Sequence, residues 1–318
     1  RSRIALLTSA ENLGAPPGGR LGLVLSAEQP ESLLSTAIGA WPVTPPEANG
    51  DVWSAFVSDD GAFVVFSSSA SNLVPGDDNG RDDLFVHDVN AGGIERIVVA
   101  GDTPELAIDR DRPRVSADLA FIAFSARLAG GIRNVYVLER ATGETELVGV
   151  TPDGTRSSGE CSSPTLTTDG RFVAFTCDGP DIVPNDTNGV ADVFVRDRLL
   201  GVTERVSVSL GGAEADGPSS IPVMSADGSR VVFQTNASNL SGGLPLRTPY
   251  GALASHNRRT GKTYRFTNVA DEGADGRFED LALSHDGRVL VFTSHATNML
   301  PDDTNSVSDV YVYDFADI

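Results

Sequence analysis

The stretch Thr167-Thr-Asp-Gly-Arg-Phe-Val-Ala-Phe175 decides the fold of this chain, because copies of it recur along the whole sequence. Its frame is Ser/Thr-x-Asp-Gly followed by a short apolar run. Asp-Gly between two such runs indicates a tight hairpin, since glycine adopts the positive φ that the turn requires. Clear copies lie at 58–66, 225–233 and 284–292, and a copy at 116–124 has Leu119 in place of the glycine.

A sixth copy lies at the start of the chain. Ala10-Glu-Asn-Leu13 aligns with Ala70-Ser-Asn-Leu73 and Ala237-Ser-Asn-Leu240, which makes 3–8 the apolar strand of this copy. Repeats therefore start near residues 1, 61, 119, 170, 228 and 287. Self-similarity at such a period is typical of an array of supersecondary units.

Each copy has a pattern of four strands, A to D. Strand A ends at the Asp-Gly turn, strand B is the apolar run, strand C resembles 192–197 and strand D resembles 204–208. Strand B is apolar at consecutive positions, so both of its faces should be covered. Blades stacked around an axis achieve this. We predict an all-β, six-bladed β-propeller of four-stranded antiparallel blades, forming one domain over 1–318, although only five complete A and D strands accompany six B and C strands.

The hairpins resemble the TolB-like β-propeller repeat, a relative of the WD-type repeat, along essentially the whole chain. Members of that family usually have proline second in a Ser-Pro-Asp-Gly turn. Here the second residue is never proline; it is Asp59, Ala117, Thr168, Ala226 or His285. The helix-containing N-terminal domain of TolB has no counterpart in these residues. The resemblance implies a propeller and, by analogy with propeller polysaccharide lyases, a histidine-rich metal site as one alternative.

Charge and hydropathy exclude two classes of partner. The chain has 44 Asp and Glu residues against 24 Lys and Arg residues, a net charge of −20. Nucleic acids and anionic membrane surfaces are poor partners for such a surface. No apolar run approaches the ~18 residues of a membrane helix, so we expect no membrane insertion. A high-salt habitat is an alternative origin of this acidity that would mark no site.

The B–C loops of three repeats share the frame D-x-N-x-x-x-D. Oxygen ligands at this spacing in a tight loop are what a hard cation such as calcium requires. The alternative is a set of Asx-turns without an ion. The candidate calcium ligands are Asp77, Asn79 and Asp83 in repeat two, Asp186, Asn188 and Asp192 in repeat four, and Asp303, Asn305 and Asp309 in repeat six.

The two cysteines flank one Asp-Gly hairpin. Counting outward from the turn places Ser162 opposite Cys177 and leaves Cys161 one register step away. We predict a Cys161–Cys177 disulfide with a local bulge; two buried thiols are the alternative. A disulfide would place the protein in an extracellular, cell-surface or periplasmic location.

Catalytic signatures are absent from the sequence, which has neither a G-x-S-x-G nor an H-E-x-x-H motif. His87 and His256 occupy a strand position that we expect to face solvent. His285 and His295 lie at opposite ends of one strand B, too far apart to share a metal within one blade.

Acidic residues gather in the B–C and D–A loops, which should emerge on one face of a propeller, hereafter the acidic loop face. Beside the three frames it holds Glu214, Asp216, Asp271, Glu272 and Asp275. We predict a non-catalytic, extracytoplasmic, calcium-binding propeller that binds or scaffolds a protein or glycan through this face. The alternative is a propeller enzyme, a polysaccharide lyase or hydrolase, whose acidic residues converge on the central channel.

Overall fold

A computed structural model of the chain describes residues 3–8, 21–26, 49–58, 61–88, 91–97, 106–109, 113–128, 131–240, 250–266, 273–300, 303 and 307–315. The chain divides into two compact units, Arg1–Leu147 and Val148–Ile318, which are described separately. The regular elements of the described residues are β-strands. Within those residues, no helix has the length and apolar character needed to cross a membrane.

The first unit contains a hairpin and two blades, which are numbered by the repeat that forms them. The hairpin pairs β1 (Arg3–Thr8) with β2 (Leu21–Ser26). Blade two has the order β3 (Val52–Val57), β4 (Phe63–Ser68), β5 (Asp83–Asp88), β6 (Ile94–Arg96). Blade three contains β7 (Leu106–Ile108), β8 (Arg114–Val115), β9 (Phe121–Leu128), β10 (Arg133–Glu139) and β11 (Thr145–Leu147). Strands β7 and β8 pair with successive parts of β9, so blade three is four strands wide.

The second unit contains three blades whose strands follow one another in chain order. Blade four is β12 (Cys161–Leu166), β13 (Phe172–Cys177), β14 (Asp192–Asp197) and β15 (Val202–Arg205). Blade five is β16 (Ser219–Met224), β17 (Arg230–Thr235), β18 (Ala252–Asn257) and β19 (Lys262–Phe266). Blade six has three strands, β20 (Phe278–Leu283), β21 (Val289–Ser294) and β22 (Asp309–Asp314). Neighbouring strands in all three blades are antiparallel.

The all-β propeller prediction is confirmed, but six blades of four strands is wrong. The described residues form five blades of three or four strands, and the first repeat contributes only the β1–β2 hairpin. The physical reason is that the repeat motif counts apolar B strands. A complete blade also needs a strand A and a strand D, and repeats one and six fall short of this in the described part of the chain.

The B strands are buried because each is paired on both sides and covered on both faces. In the B strand β17, Val231 and Phe233 belong to an apolar cluster with Val195 of blade four, whereas Val232 between them belongs to a cluster with Phe278 of blade six. Each of these side chains is at most 4% exposed. The face of one blade thus packs on the next, which explains why strand B carries consecutive apolar residues.

The first strand of each blade in the second unit contains a β-bulge. In blade four the register shifts between Ser162 and Thr165, and Ser163 adopts a φ of 55°. The extra residue moves the pairing by one step, so Cys161 lies opposite Cys177 and not Ser162. The two cysteines form a disulfide, with 4.1 Å between their Cα atoms. The predicted pairing and its bulge are both present.

The Asp-Gly turns of the second unit are joined by backbone hydrogen bonds. The amide of Thr168 donates to the carbonyl of Ala226 at 3.2 Å, and the amide of Ala226 donates to the carbonyl of His285 at 3.0 Å. These are the positions where TolB-like repeats usually have proline. Because proline has no N–H to donate, these bonds explain its absence at Thr168 and Ala226.

Candidate functional site: the acidic loops

The D-x-N-x-x-x-D loop of blade four surrounds an arginine. Arg205 ends β15 opposite Phe194, and its Nη1 lies 3.0 Å from Asp186 Oδ1 and 3.2 Å from Asp192 Oδ2. Glu214 approaches the same Nη1 at 2.7 Å. The Asp192 side chain is fully buried and that of Arg205 is 9% exposed. The arginine therefore cancels part of the negative charge of the predicted loop inside the protein.

The middle residue of this frame closes the turn. Asn188 Nδ2 donates to Asp192 Oδ2 at 2.7 Å and to the carbonyl of Ala215 at 3.1 Å. Its Oδ1 accepts a hydrogen bond from the amide of Val190 at 3.1 Å. This is the Asx-turn geometry of the alternative interpretation. All three predicted residues of repeat four are thus brought together, around a guanidinium.

Blade two repeats the arrangement with longer distances. Arg96 ends β6 and lies 3.5 Å from Asp77 and 3.6 Å from Asp83. Asn79 Nδ2 donates to both oxygens of Asp83, at 3.1 and 3.0 Å. Its Oδ1 accepts from the amide of Arg81 at 2.9 Å. The same sequence frame therefore produces the same polar cluster in both units.

Burial perturbs the carboxylates of these clusters. Burial raises the pKa of Asp83 to about 6; the Asn79 hydrogen bond opposes this, and the negative charge of Asp77 adds to it. Burial likewise raises the pKa of Asp186 and of Asp192. Hydrogen bonds from Thr187 have the opposite effect on Glu214 and lower its pKa to about 2. Removal of the arginine would leave two buried carboxylates close together.

The loop of blade six differs. Asp303 and Asp309 are described, whereas Asn305 lies outside the described residues. The hydroxyl of Tyr311 donates to Asp303 Oδ2 at 3.0 Å and to the carbonyl of Ala296 at 3.3 Å. Burial, followed by this contact with Asp303, raises the pKa of Tyr311 to about 12. Among the described residues, blade six has no fourth strand and so no counterpart of Arg205.

The described residues contain no group of three or more His, Cys, Asp or Glu side chains arranged to hold a metal ion. In blades two and four the carboxylate oxygens face a guanidinium, which supplies the positive charge at that place. A calcium ion would have to compete with this arginine. Calcium binding by the nine candidate ligands stays a prediction.

Other acids of the acidic loop face join successive loops by paired hydrogen bonds, and each such pair of bonds is called a clip. Asp216 accepts hydrogen bonds from the amide of Ser238 at 2.6 Å and from its hydroxyl at 2.5 Å. Asp275 accepts in the same way from the amide and hydroxyl of Thr297, both at 2.7 Å. Asp216 and Asp275 are nevertheless exposed. Burial opposes their ionisation, but the hydrogen bonds outweigh it and lower the pKa of both carboxyls.

Blade two contains the same clip with a neutral residue. The side chain of Asn49 accepts a hydrogen bond from the amide of Ser71 at 2.8 Å, and its Nδ2 donates to the Ser71 hydroxyl. The clip is therefore a structural feature that either Asp or Asn can provide. The recurring Ala-Ser/Thr-Asn motif was its sequence signal. Asp271 and Glu272, also predicted for this face, lie outside the described residues.

The histidines do not form a metal site among the described residues. His87 and His256 are each 5% exposed, so the expectation that they face solvent is wrong. His256 Nδ1 lies 2.9 Å from the hydroxyl of Thr263, and His87 Nδ1 lies 3.1 Å from the carbonyl of Gly93. Burial lowers the pKa of both histidines. They are neutral core residues at neutral pH.

A cleft of about 430 Å³ lies between the inner strands of blades five and six. Its lining includes Ile221, Gln234, Tyr250, Arg277 and Glu279. Ile221 is 45% exposed and sits at the bulge of β16 with a φ of 52°. Glu279 Oε2 lies 4.0 Å from His295 Nε2, and both side chains are about half exposed. Of this pair, Glu279 lines the cleft.

Comparisons with known proteins identify the fold. No protein-family model matches this chain. No curated protein matches it either. TolB from Acinetobacter baumannii is similar in structure, with a TM-score of 0.57 and 16% identity over 98% of this chain; the chain spans only 63% of that protein.

Two further solved structures are similar in fold to this chain. A putative TolB from Agrobacterium tumefaciens has a TM-score of 0.53 and 16% identity, covering 84% of this chain and 78% of its own length. An oligogalacturonate lyase in complex with manganese has a TM-score of 0.57 and 13% identity, covering 97% of this chain and 73% of its own. Identities this low establish the fold and nothing finer. The TolB-like resemblance read from the repeats is thus confirmed: this chain has the β-propeller fold of TolB and oligogalacturonate lyase.

Proposed function

We propose that this chain is a non-catalytic propeller that binds a protein partner through its acidic loop face. The observation that carries the proposal is the pair of clips formed by Asp216 and Asp275. Both carboxylates are exposed, and hydrogen bonds to neighbouring loops hold them ionised and fixed in place. Fixed charges of one sign favour a partner of opposite charge and cost little entropy on binding. The partner should therefore carry basic side chains.

The test removes these charges and keeps the clips. Asn49 shows that asparagine fits the position, so Asp216→Asn with Asp275→Asn should leave the fold intact. The probe is a short oligo-arginine peptide, and its affinity is measured by isothermal titration calorimetry at several salt concentrations. We expect the double variant to bind several-fold more weakly at low salt, with an unchanged melting temperature.

The matched control is Asp227→Asn with Asp286→Asn, which removes two acids from the Asp-Gly turns at the other end of the strands. Both residues accept hydrogen bonds inside their own turns, whereas Asp216 and Asp275 accept from a neighbouring loop. Asp227 also forms an ion pair with Arg259. Equal weakening by the two double variants would show that only net charge matters. Absence of peptide binding to the wild type would overturn the proposal.

Calcium binding by the three loop frames is part of the same proposal, with a condition added by Arg96 and Arg205. Calcium has to displace a guanidinium in blades two and four. We expect calcium to raise the melting temperature of the wild type slightly and that of Arg205→Met strongly, because the variant frees Asp186 and Asp192 for the ion. Chelator should reverse both shifts. A variant that is unaffected by calcium would eliminate blade four as a calcium site.

A lyase or hydrolase, with a glycan as substrate, is the second candidate function, because Glu279 lines a cleft of about 430 Å³ and lies 4.0 Å from His295. The test is the release of unsaturated sugars from oligogalacturonate with and without Mn²⁺, the metal of the similar lyase. Activity that disappears in Glu279→Gln would establish an enzyme and refute the non-catalytic role. Binding of the sugar without turnover would indicate a glycan module.

The disulfide supports an extracytoplasmic location, since such bonds persist in oxidising compartments. We propose an extracellular, cell-surface or periplasmic protein. The measurement is the fraction of Cys161 and Cys177 that resists alkylation when cells are quenched with acid. Complete alkylation in the native host would contradict the proposed location.

A further inference from the structure

The fourth strand of three blades supplies an arginine at one fixed register. Arg96, Arg205 and Arg265 lie opposite Phe85, Phe194 and Ala254, the third residue of strand C in each blade. Arg96 and Arg205 reach the loop carboxylates, and Arg265 donates to the carbonyls of residues 237 and 238. Strand D of each of these blades therefore carries an arginine that contacts polar groups of the B–C loop.

Blade six has the same loop carboxylate, but its β22 has no strand on its outer side among the described residues. Asp303 corresponds to Asp186 of blade four. One oxygen, Oδ2, accepts from Tyr311, whereas Oδ1 is buried and has no hydrogen-bond partner in the described residues. A buried acceptor without a donor costs free energy comparable to a lost hydrogen bond. A hydrogen-bond donor placed next to Asp303 Oδ1 would satisfy this acceptor.

The apolar residues of β22 are exposed as well. Val310 and Val312 are 68% and 69% exposed, whereas their counterparts Val193 and Val195 in β14 are at most 1% exposed. Val193 and Val195 are covered by blade five, so the exposure of Val310 and Val312 marks an uncovered sheet face. The backbone edge of β22 is the separate feature that can accept another strand. The backbone geometry is known from the complete blades, where the amide of Val206 donates to the carbonyl of Val193 at 2.9 Å. The carbonyl of Val310 is the corresponding acceptor.

We propose that the edge of β22 binds an extended, arginine-bearing segment of another polypeptide, which completes blade six with its arginine on Asp303. The segment runs antiparallel to β22 and places the arginine opposite Tyr311. Backbone hydrogen bonds along the edge supply affinity, and the arginine fixes the register. This inference rests on the proposed binding function and names the partner's recognition element.

A separate polypeptide is the occupant that the charges favour. A second copy of the chain would bring together two molecules of net charge −20. The arginine-bearing strands β6, β15 and β19 are already paired within their own blades. A short arginine-bearing segment adds no large negative charge and is not already paired, and its arginine complements the acidic loops beside β22.

The test uses a synthetic peptide with the sequence of residues 201–208 of this chain, Gly-Val-Thr-Glu-Arg-Val-Ser-Val, whose arginine stands at the register of Arg205. Binding to the full chain is measured by calorimetry. Two matched peptides replace the arginine with glutamine or carry an N-methyl group at the following valine, which removes the N–H expected to bond to Val310. We expect each change to weaken binding about tenfold or more.

A protein variant supplies the reciprocal control. Asp303→Asn should fold, since it keeps an acceptor for Tyr311, and should bind the arginine and glutamine peptides with nearly equal affinity. Equal binding of all three peptides to the wild type, or no binding, overturns the inference. Peptide-independent dimerisation in sedimentation experiments also overturns it, because a second copy would then occupy the edge.

Failure here is distinguishable from failure of the proposed function. The Asp216→Asn, Asp275→Asn variant should still bind the strand peptide, because those residues lie outside the β22 edge. If oligo-arginine binds the wild type and the strand peptide does not, the acidic loop face binds partners but β22 does not accept a strand.

Discussion

Replacement of Arg205 by methionine should destabilise the second unit strongly. The guanidinium lies within 3.2 Å of three carboxylates, and the side chains of Asp186 and Asp192 are 5% and 0% exposed. Removing one partner of a buried ionic cluster leaves uncompensated charge and costs about 3–5 kcal/mol. At 2–4 °C per kcal/mol for a domain of this size, the melting temperature should fall by roughly 6–20 °C.

The assay is urea unfolding of the wild type and four variants. The control Arg259→Gln removes an exposed arginine that lies 2.5 Å from the exposed Asp227, and an exposed pair is worth about 0–1 kcal/mol. Arg96→Met should give an intermediate loss, because its distances of 3.5 and 3.6 Å are longer. Adding Asp186→Asn to Arg205→Met should recover part of the loss. A loss below about 1 kcal/mol for Arg205→Met would refute the view that this cluster stabilises the blade.

Three further predictions follow from the second unit and the Asp-Gly turns. Replacing both Cys161 and Cys177 by alanine should lower the free energy of unfolding by about 3 kcal/mol, the value for a loop of 16 residues. Reductant should lower the stability of the wild type to that of the variant and leave the variant unchanged. Ala226→Pro should lower the free energy of unfolding in urea by about 1–3 kcal/mol, because it removes an N–H that bonds to the next blade. Ala117→Pro should cost less, because the N–H of Ala117 has no partner in the described residues. The protein should become less stable as pH falls below ~6.5, because the pKa of His256 is lower in the folded protein and the unfolded chain therefore binds the proton at higher pH. His256→Gln should reduce this pH dependence of the melting temperature.

The sequence predicted the hairpins because each depends on local chemistry. The Asp-Gly turns have glycines with φ near 70°, such as Gly170 and Gly228. Even the degenerate copy keeps this backbone, with Leu119 at a φ of 59°. Leu119 is 1% exposed and belongs to an apolar cluster of the first unit. Its burial offsets a conformation that costs an ordinary residue roughly 1 kcal/mol.

Features that depend on the neighbouring strand or blade were harder to predict. The Cys161–Cys177 disulfide was predicted correctly, but only by assuming a bulge, because the bulge at Ser163 has no glycine that would reveal its position in the sequence. Solvent exposure was wrongly predicted for His87 and His256, because their burial depends on which residues pack against the strand. Arg205 was missed, although Arg96 and Arg265 recur at its position in the repeat. Comparing strand D between repeats would have found it.

The acids of this chain differ in what they contribute to its electrostatic field. Asp186, Asp192 and Glu214 share one guanidinium within 3.2 Å, so part of their charge is cancelled where it arises. Asp216 and Asp275 are held by neutral donors and keep their full charge at the surface. Since exposed charges are screened beyond about 8 Å at physiological salt, a partner responds to the nearest clips more than to the net charge of −20. The salt dependence of partner binding should accordingly follow the two clip residues, and loss of the Arg205 cluster should change stability far more than affinity.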